Sequence, residues 1–179
     1  MYASIILPTY NEAGSLPGAI EAVRKAMAHR EDWEVIVVDD DSPDRTWELA
    51  QEYGQHDPRI RCYRRLDRRG LSSAIVDGLS LGTGERLLVM DADLQHDVTK
   101  LPELLAALDE AAVCVGSRYT RGGGVGEWSK GRIFLSRVAS VSAQLVLGLR
   151  SSDPMSGFFA VRREAFLEVA EQLNPRGYK

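Results

Sequence analysis

The feature that most constrains this chain is the alternation of short apolar runs with longer amphipathic ones, which begins at its first residues. The short runs fall at Ser4 to Leu7, Glu34 to Val38, Ile60 to Tyr63, Arg86 to Met90, Val113 to Gly116 and Phe158 to Val161. They are too short for helices, and most are continuously apolar, as strands buried on both faces are. The longer segments carry helical periodicity. Ser15 is placed to cap a first helix, with Pro17 in its first turn and Leu16, Ile20, Val23 and Met27 on one stripe. A second helix is predicted after Asp44, carrying Trp47, Leu49 and Tyr53, and a third after Gly70. A fourth starts near Thr99 and buries Leu101, Leu104, Leu105 and Leu108. This alternation predicts an α/β fold, a doubly wound, mostly parallel sheet with helices on both faces. No linker or repeat interrupts it, so residues 1–179 are expected to form a single domain. The glycine run Gly122, Gly123, Gly124 and Gly126 marks a loop of the kind that closes over ligands.

Composition narrows the function classes. With 44% hydrophobic and 27% charged residues the chain can fill one core. A formal net charge of -4 supplies no whole-molecule field for nucleic acid. The local basic stretch Arg59, Arg61, Arg64, Arg65, Arg68 and Arg69 reads as a solvated edge. Cys62 and Cys114 lie in strand-like segments and read as small core residues of a reduced, cytosolic protein. Met1 to Pro8 do not make a signal peptide, and the apolar stretch Ile133 to Leu149 is interrupted by Arg137, serines and Gln144. It falls short of the roughly 20 apolar residues of a membrane span.

In open parallel sheets, ligands bind outside the carboxyl ends of the strands. Here those positions hold Tyr10, Asn11 and Glu12 after the first strand, and Asp39, Asp40 and Asp41 after the second. Asp91, Asp93, Gln95 and His96 follow the fourth, and Arg118 the fifth. So many carboxylates at one edge repel one another unless a cation sits among them, and oxygen ligands suit Mg or Mn. Asp91 and Asp93, one residue apart on a turn leaving a buried strand, are the expected metal and ligand contacts. A single Asp there would serve as a helix cap, but one cap does not need Asp91, Asp93 and Gln95 together. His29, His56 and His96 show no partner pattern. No G-x-G-x-x-G follows the first strand and no G-x-x-x-x-G-K-[ST] occurs, so neither a dinucleotide fingerprint nor a P-loop is present.

Five segments, in this order, resemble the family 2 glycosyltransferases, inverting enzymes of the Rossmann-like GT-A fold. They are Leu7 to Glu12, Val37 to Asp44, Asp91 to His96, Gly116 to Tyr119, and Asp153 to Phe159. Within that family the similarity is to the dolichol-phosphate or polyprenol-phosphate mannose synthases. The resemblance implies that Pro8, Tyr10, Glu12, Val37 and Asp39 line a pocket for the guanine nucleoside of GDP-mannose. It implies that Asp91, Ala92 and Asp93 contact the donor's sugar and diphosphate, and that Asp93 and Gln95, with Asp91, hold Mg or Mn. Arg118, helped by Arg132 and Ser136, would grip the phosphate of a dolichyl or polyprenyl acceptor. The anionic acceptor needs no general base, so Asp153 is assigned to positioning.

Membrane contact is expected from Lys130, Arg132 and Arg137 alternating with Ile133, Phe134, Leu135 and Val138, as in an interfacial helix; a helix buried on the sheet explains the same pattern. That places the protein on the cytoplasmic face of a membrane. The sequence departs from the family where Asp41 and Arg45 stand in place of frequent glycines and Asp97-Val98-Thr99 in place of Pro-Pro-Glu. Relatives also continue beyond the equivalent of Lys179 with a basic segment and sometimes membrane spans, so a missing C-terminal segment or partner is expected. The alternatives are a glucosyltransferase using UDP-glucose, a binding-only relative, and a receiver-like domain, against which the lack of a lysine over Phe158 to Arg162 argues.

Overall fold

A computed structural model describes residues 1–117 and 156–173. All six apolar runs form strands: β1 (Ala3–Thr9), β2 (Trp33–Asp39), β3 (Ile60–Arg64), β4 (Arg86–Val89), β5 (Val113–Val115) and β6 (Phe159–Arg162). They make one sheet in the order β3-β2-β1-β4-β6-β5. The pairs of β1 with β2, β1 with β4 and β2 with β3 are parallel. β6 runs antiparallel to both β4 and β5. The fold is thus the expected α/β class with a mostly parallel sheet.

Strand pleating sends alternate side chains to opposite faces, and two cores result. Ile5, Leu7, Val35, Val37, Leu88 and Met90 pack against α1 (Leu16–Ala26) and α4 (Leu101–Ala107). Ile6, Ile36, Val38, Leu87 and Val89 pack on the other face with residues of α3 (Leu71–Leu81) and α5 (Arg163–Val169). Helices therefore cover both faces. The predicted stripe Leu16, Ile20, Val23 and Met27 is fully buried. α3 lies so close to the sheet that a Cβ on Gly78 would collide with Ile6.

Local details differ from the sequence reading in three places. Ser15 sits in αR geometry and caps nothing; its hydroxyl turns back to the carbonyl and carboxylate of Glu12. In α2 (Thr46–His56) the buried residues are Thr46 and Ala50, while Trp47 lies half-buried under the Arg64 guanidinium, 3.6 Å from the ring centroid. The arginines of the basic stretch are not a bare solvated edge. Arg59 pairs with Asp57, Arg61 with Glu34, Arg64 with Asp41, and Arg68 with Asp77. Arg65 is 3% exposed.

Cys62 and Cys114 are free thiols in β3 and β5. Burial, and then the negative charge of Asp39, pushes the Cys62 thiol up to about 12, which fits an inert packing residue. No helix among the described residues is long and apolar enough to cross a membrane. Arg118, Arg132, Ser136, Asp153, the glycine run and the amphipathic stretch after Lys130 lie outside the described residues.

Candidate active site

The parallel strands β1, β2 and β4 end at one edge of the sheet, and the loops leaving them enclose a cleft of about 330 Å³. Pro8, Thr9, Tyr10 and Glu12 contribute one wall, and Asp91, Ala92 and Asp93 the facing one. Asp40 from the end of β2 and Leu71 and Ala74 from α3 complete it. The structure thus brings Pro8, Tyr10, Glu12, Asp91, Ala92 and Asp93 together from two distant segments.

It does not bring Val37 or Asp39 to the surface of that cleft. Val37 is fully buried in the core beside α1. Asp39 is also fully buried, and its oxygens accept from Thr9 Oγ1 at 2.7 Å, Ser42 N at 2.8 Å and Ser42 Oγ at 2.7 Å. Asp39 ties the β1 and β2 exits together. Asp44 does the same one step further out, accepting from Ala13 N at 3.0 Å and Thr46 Oγ1 at 2.6 Å. Burial raises the Asp44 carboxyl, but these hydrogen bonds outweigh it and hold the group below the usual carboxylate range.

The acids after β2 do not need a metal ion to coexist, because arginines neutralise them. Asp40 accepts from Arg65 Nε at 2.6 Å and Gly70 N at 2.6 Å, and Asp41 from Arg64 Nε at 2.7 Å. Arg65 also donates to Ser73 Oγ at 2.9 Å, Asp77 Oδ2 at 3.0 Å and the Gly70 carbonyl at 3.0 Å. One buried guanidinium therefore fixes the strand end, the Gly70 turn and α3, which together make the back of the cleft. At its mouth Arg69 reaches Tyr10 Oη at 3.3 Å and lies 5.2 Å from the ring centroid.

With the acids after β2 neutralised by arginines, Asp91 and Asp93 are the carboxylates left as candidate metal ligands. Asp93 is exposed and accepts from Gln95 N at 3.0 Å, while Asp91 is 3.2 Å from His96 Nε2. Among the described residues no group of three His, Cys, Asp or Glu side chains is arranged to hold a metal. Two carboxylates and the Gln95 amide oxygen are nevertheless hard donors of the kind Mg and Mn take. They would supply only part of a six-ligand shell. The donor chemistry fits a divalent cation held jointly with a bound diphosphate.

Backbone strain marks the same edge. Asn11, Asp41, Arg45 and Leu94 have φ of 61°, 56°, 62° and 60°. These are the non-glycine residues in the left-handed region among those described, and all lie in loops at the cleft end. Asp41 and Arg45 keep the backbone that the family's frequent glycines would adopt without cost.

A Rossmann-like sheet with an acidic turn after its fourth strand and no glycine-rich phosphate loop has the architecture of the GT-A glycosyltransferases. The fold agrees with that of the Pyrobaculum calidifontis mannosyltransferase PcManGT, solved with GDP-Man and Mn2+, at a TM-score of 0.62 and 22% identity, over 93% of this chain and 46% of that one. Residues 4–170 match the profile of glycosyl transferase family 2, and the chain belongs to that family. It is 41% identical to the dolichol-phosphate mannosyltransferase of Pyrococcus furiosus, over 100% of this chain and 51% of that protein. It is 37% identical to the polyprenol monophosphomannose synthase of Mycolicibacterium smegmatis, over 97% of this chain and 67% of that protein. The chain thus spans about half the length of the first of these relatives.

Proposed function

We propose that this chain is the catalytic domain of an inverting glycosyltransferase that moves mannose from GDP-mannose to a polyprenyl phosphate at the cytoplasmic face of a membrane, with Mg or Mn. The observation that carries the reading is the cleft lined jointly by Pro8, Tyr10 and Glu12 and by Asp91 to Asp93, in a chain 41% identical to a dolichol-phosphate mannosyltransferase. The named activity of that relative and of the polyprenol monophosphomannose synthase supports the acceptor class.

In this mechanism an oxygen of the acceptor's phosphate attacks the anomeric carbon from the face opposite the donor diphosphate. The bond from that carbon to the diphosphate oxygen breaks, and GDP leaves with the electron pair. The phosphate monoester is already anionic at neutral pH, so no side chain has to take a proton. Tyr10 and Glu12 hold the nucleoside end of the donor and Asp91 orients its sugar. Asp93 and Gln95, with Asp91, would hold the cation, which would supply positive charge to offset that of the departing diphosphate. Arg118, Arg132 and Ser136 are assigned to the acceptor phosphate and Asp153 to its positioning.

The test is transfer of radiolabelled mannose from GDP-mannose, and of glucose from UDP-glucose, to a short polyprenyl phosphate with and without Mg or Mn. Metal-dependent mannosyl transfer that falls at least a hundredfold in Asp93→Ala is expected. Glucosyl transfer in its place would replace the donor, and nucleotide binding without transfer from either would establish a binding-only protein.

A further inference from the structure

The turn after β4 carries two carboxylates that are held very differently. Asp93 is exposed and, among the described residues, bonded within its own turn, whereas Asp91 is half-buried and contacted from outside that turn as well. On one side is His96, whose Nε2 lies 3.2 Å from Asp91 Oδ2 and whose side chain is 13% exposed. On the other is the backbone of Gly157, where a Cβ would come within 2.5 Å of the same Oδ2. The imidazole is itself held flat, stacked on Phe158 with centroids 5.2 Å apart and planes inclined by 21°. Phe158 is 4% exposed, and Ser156 Oγ fixes its segment by donating to the Gly116 carbonyl at 2.8 Å and accepting from Phe158 N at 3.2 Å.

These contacts form a chain from the start of β6 through Phe158 and His96 to Asp91. A carboxylate only accepts hydrogen bonds, so Nε2 carries the hydrogen and donates it. One Asp91 oxygen is thereby occupied and the plane of the carboxyl group is set, which leaves the other oxygen with a defined direction. We propose that His96 is a positioning residue for Asp91: it acts through that hydrogen bond, with the Phe158 stack setting the ring, to preorganise the Asp91 carboxylate for the cation and the donor. The inference rests on the functional reading above and adds to it a residue that touches neither ligand. Partners of metal-binding side chains act in this way, and their loss characteristically weakens metal affinity 10–100-fold.

Two substitutions separate the hydrogen bond from the stack. His96→Phe keeps an aromatic ring on Phe158 and deletes the donor, while His96→Gln keeps an N–H near the Nε2 position and deletes the ring. Mn2+ affinity in the presence of saturating GDP would be measured on the whole chain by electron paramagnetic resonance, with thermal unfolding recorded alongside. Affinity at least tenfold weaker in His96→Phe, with an unfolding midpoint close to that of the parent, and recovery to within about threefold in His96→Gln, is the expected pattern. Parent-like Mn2+ affinity in His96→Phe overturns the positioning role alone. So does equal loss in both variants in step with a lowered unfolding midpoint, because that pattern belongs to packing. A parent protein that binds neither GDP nor Mn2+ overturns the functional reading and this inference with it.

Discussion

Replacing Arg65 with Met should be among the most damaging single changes outside the apolar core. The Arg65 side chain is 1% exposed and its partner Asp40 8%. Its guanidinium satisfies Asp40, Asp77, Ser73 and the Gly70 carbonyl together. Met fills the space of the aliphatic stem but leaves the Asp40 carboxylate buried with the Gly70 amide as its remaining hydrogen-bond partner. Removing one member of a buried pair costs about 3–5 kcal/mol, mostly from the charge left behind. For a chain of 179 residues, where about 1 kcal/mol moves the midpoint by about 2–4 °C, the fall in Tm is roughly 6–20 °C. Arg68 pairs with the same Asp77 but is 58% exposed, so Arg68→Met should cost no more than about 1 kcal/mol. Urea unfolding followed by circular dichroism compares the two. Adding Asp40→Asn to Arg65→Met should restore part of the loss, since the stranded charge is gone. If Arg65→Met were as stable as Arg68→Met, or if the second substitution recovered nothing, the buried-charge account would be refuted.

Two further outcomes follow from the packing and the electrostatics. Arg59, with a smaller contribution from Arg24, holds the Asp57 carboxyl down at about 2, from an ordinary 3.8. Because the folded value is the lower one, its contribution, on the order of 2 kcal/mol, is fully present above about pH 4 and is lost as pH falls toward 2. The stability gap between the parent and Asp57→Asn, measured by urea unfolding, should therefore close over that window; a gap independent of pH would contradict the assignment. Gly78→Ala should destabilise by about 1–3 kcal/mol, because the added methyl group forces α3 away from Ile6 and Val38; a neutral result in thermal unfolding would show that the helix can shift freely.

The strands were legible because continuous apolar runs leave few alternatives, and the motifs after β1 and β4 were legible because sheet topology puts strand ends on one edge. The direction of β6 was not, since apolar alternation carries no sign of chain polarity. Nor was the role of Arg65. A run of arginines read along the chain looks solvated, whereas the partners that bury this one lie 25 residues back in Asp40 and 12 residues on in Asp77. The inward turn of Asp39 was hidden for a related reason. Its position at a strand end is visible in the sequence, but Thr9 and Ser42, which turn its carboxylate inward, are identified only by the fold. His96 carried no local signal because its two partners come from either side, Asp91 from its own turn and Phe158 from the residue before β6.

The reversed strand β6 has a consequence for how such proteins can diversify. Val115, at the end of β5, and Phe159, at the start of β6, are register partners, and Gly116 N bonds the Phe158 carbonyl at 2.8 Å. β5 therefore ends and β6 begins at neighbouring points of the sheet, beside the turn that carries Asp91. Strand ends pinned side by side in this way tolerate connections of different length, since each doubling of a connection's length adds only about 0.6 kcal/mol of closure entropy. The turn after β4 feels this junction directly, because Asp91 lies against Gly157 and is bonded to His96, which stacks on Phe158. A connection between these two strands can in this way vary in length at little cost while its anchors at Gly116 and Phe158 stay bonded to the sheet.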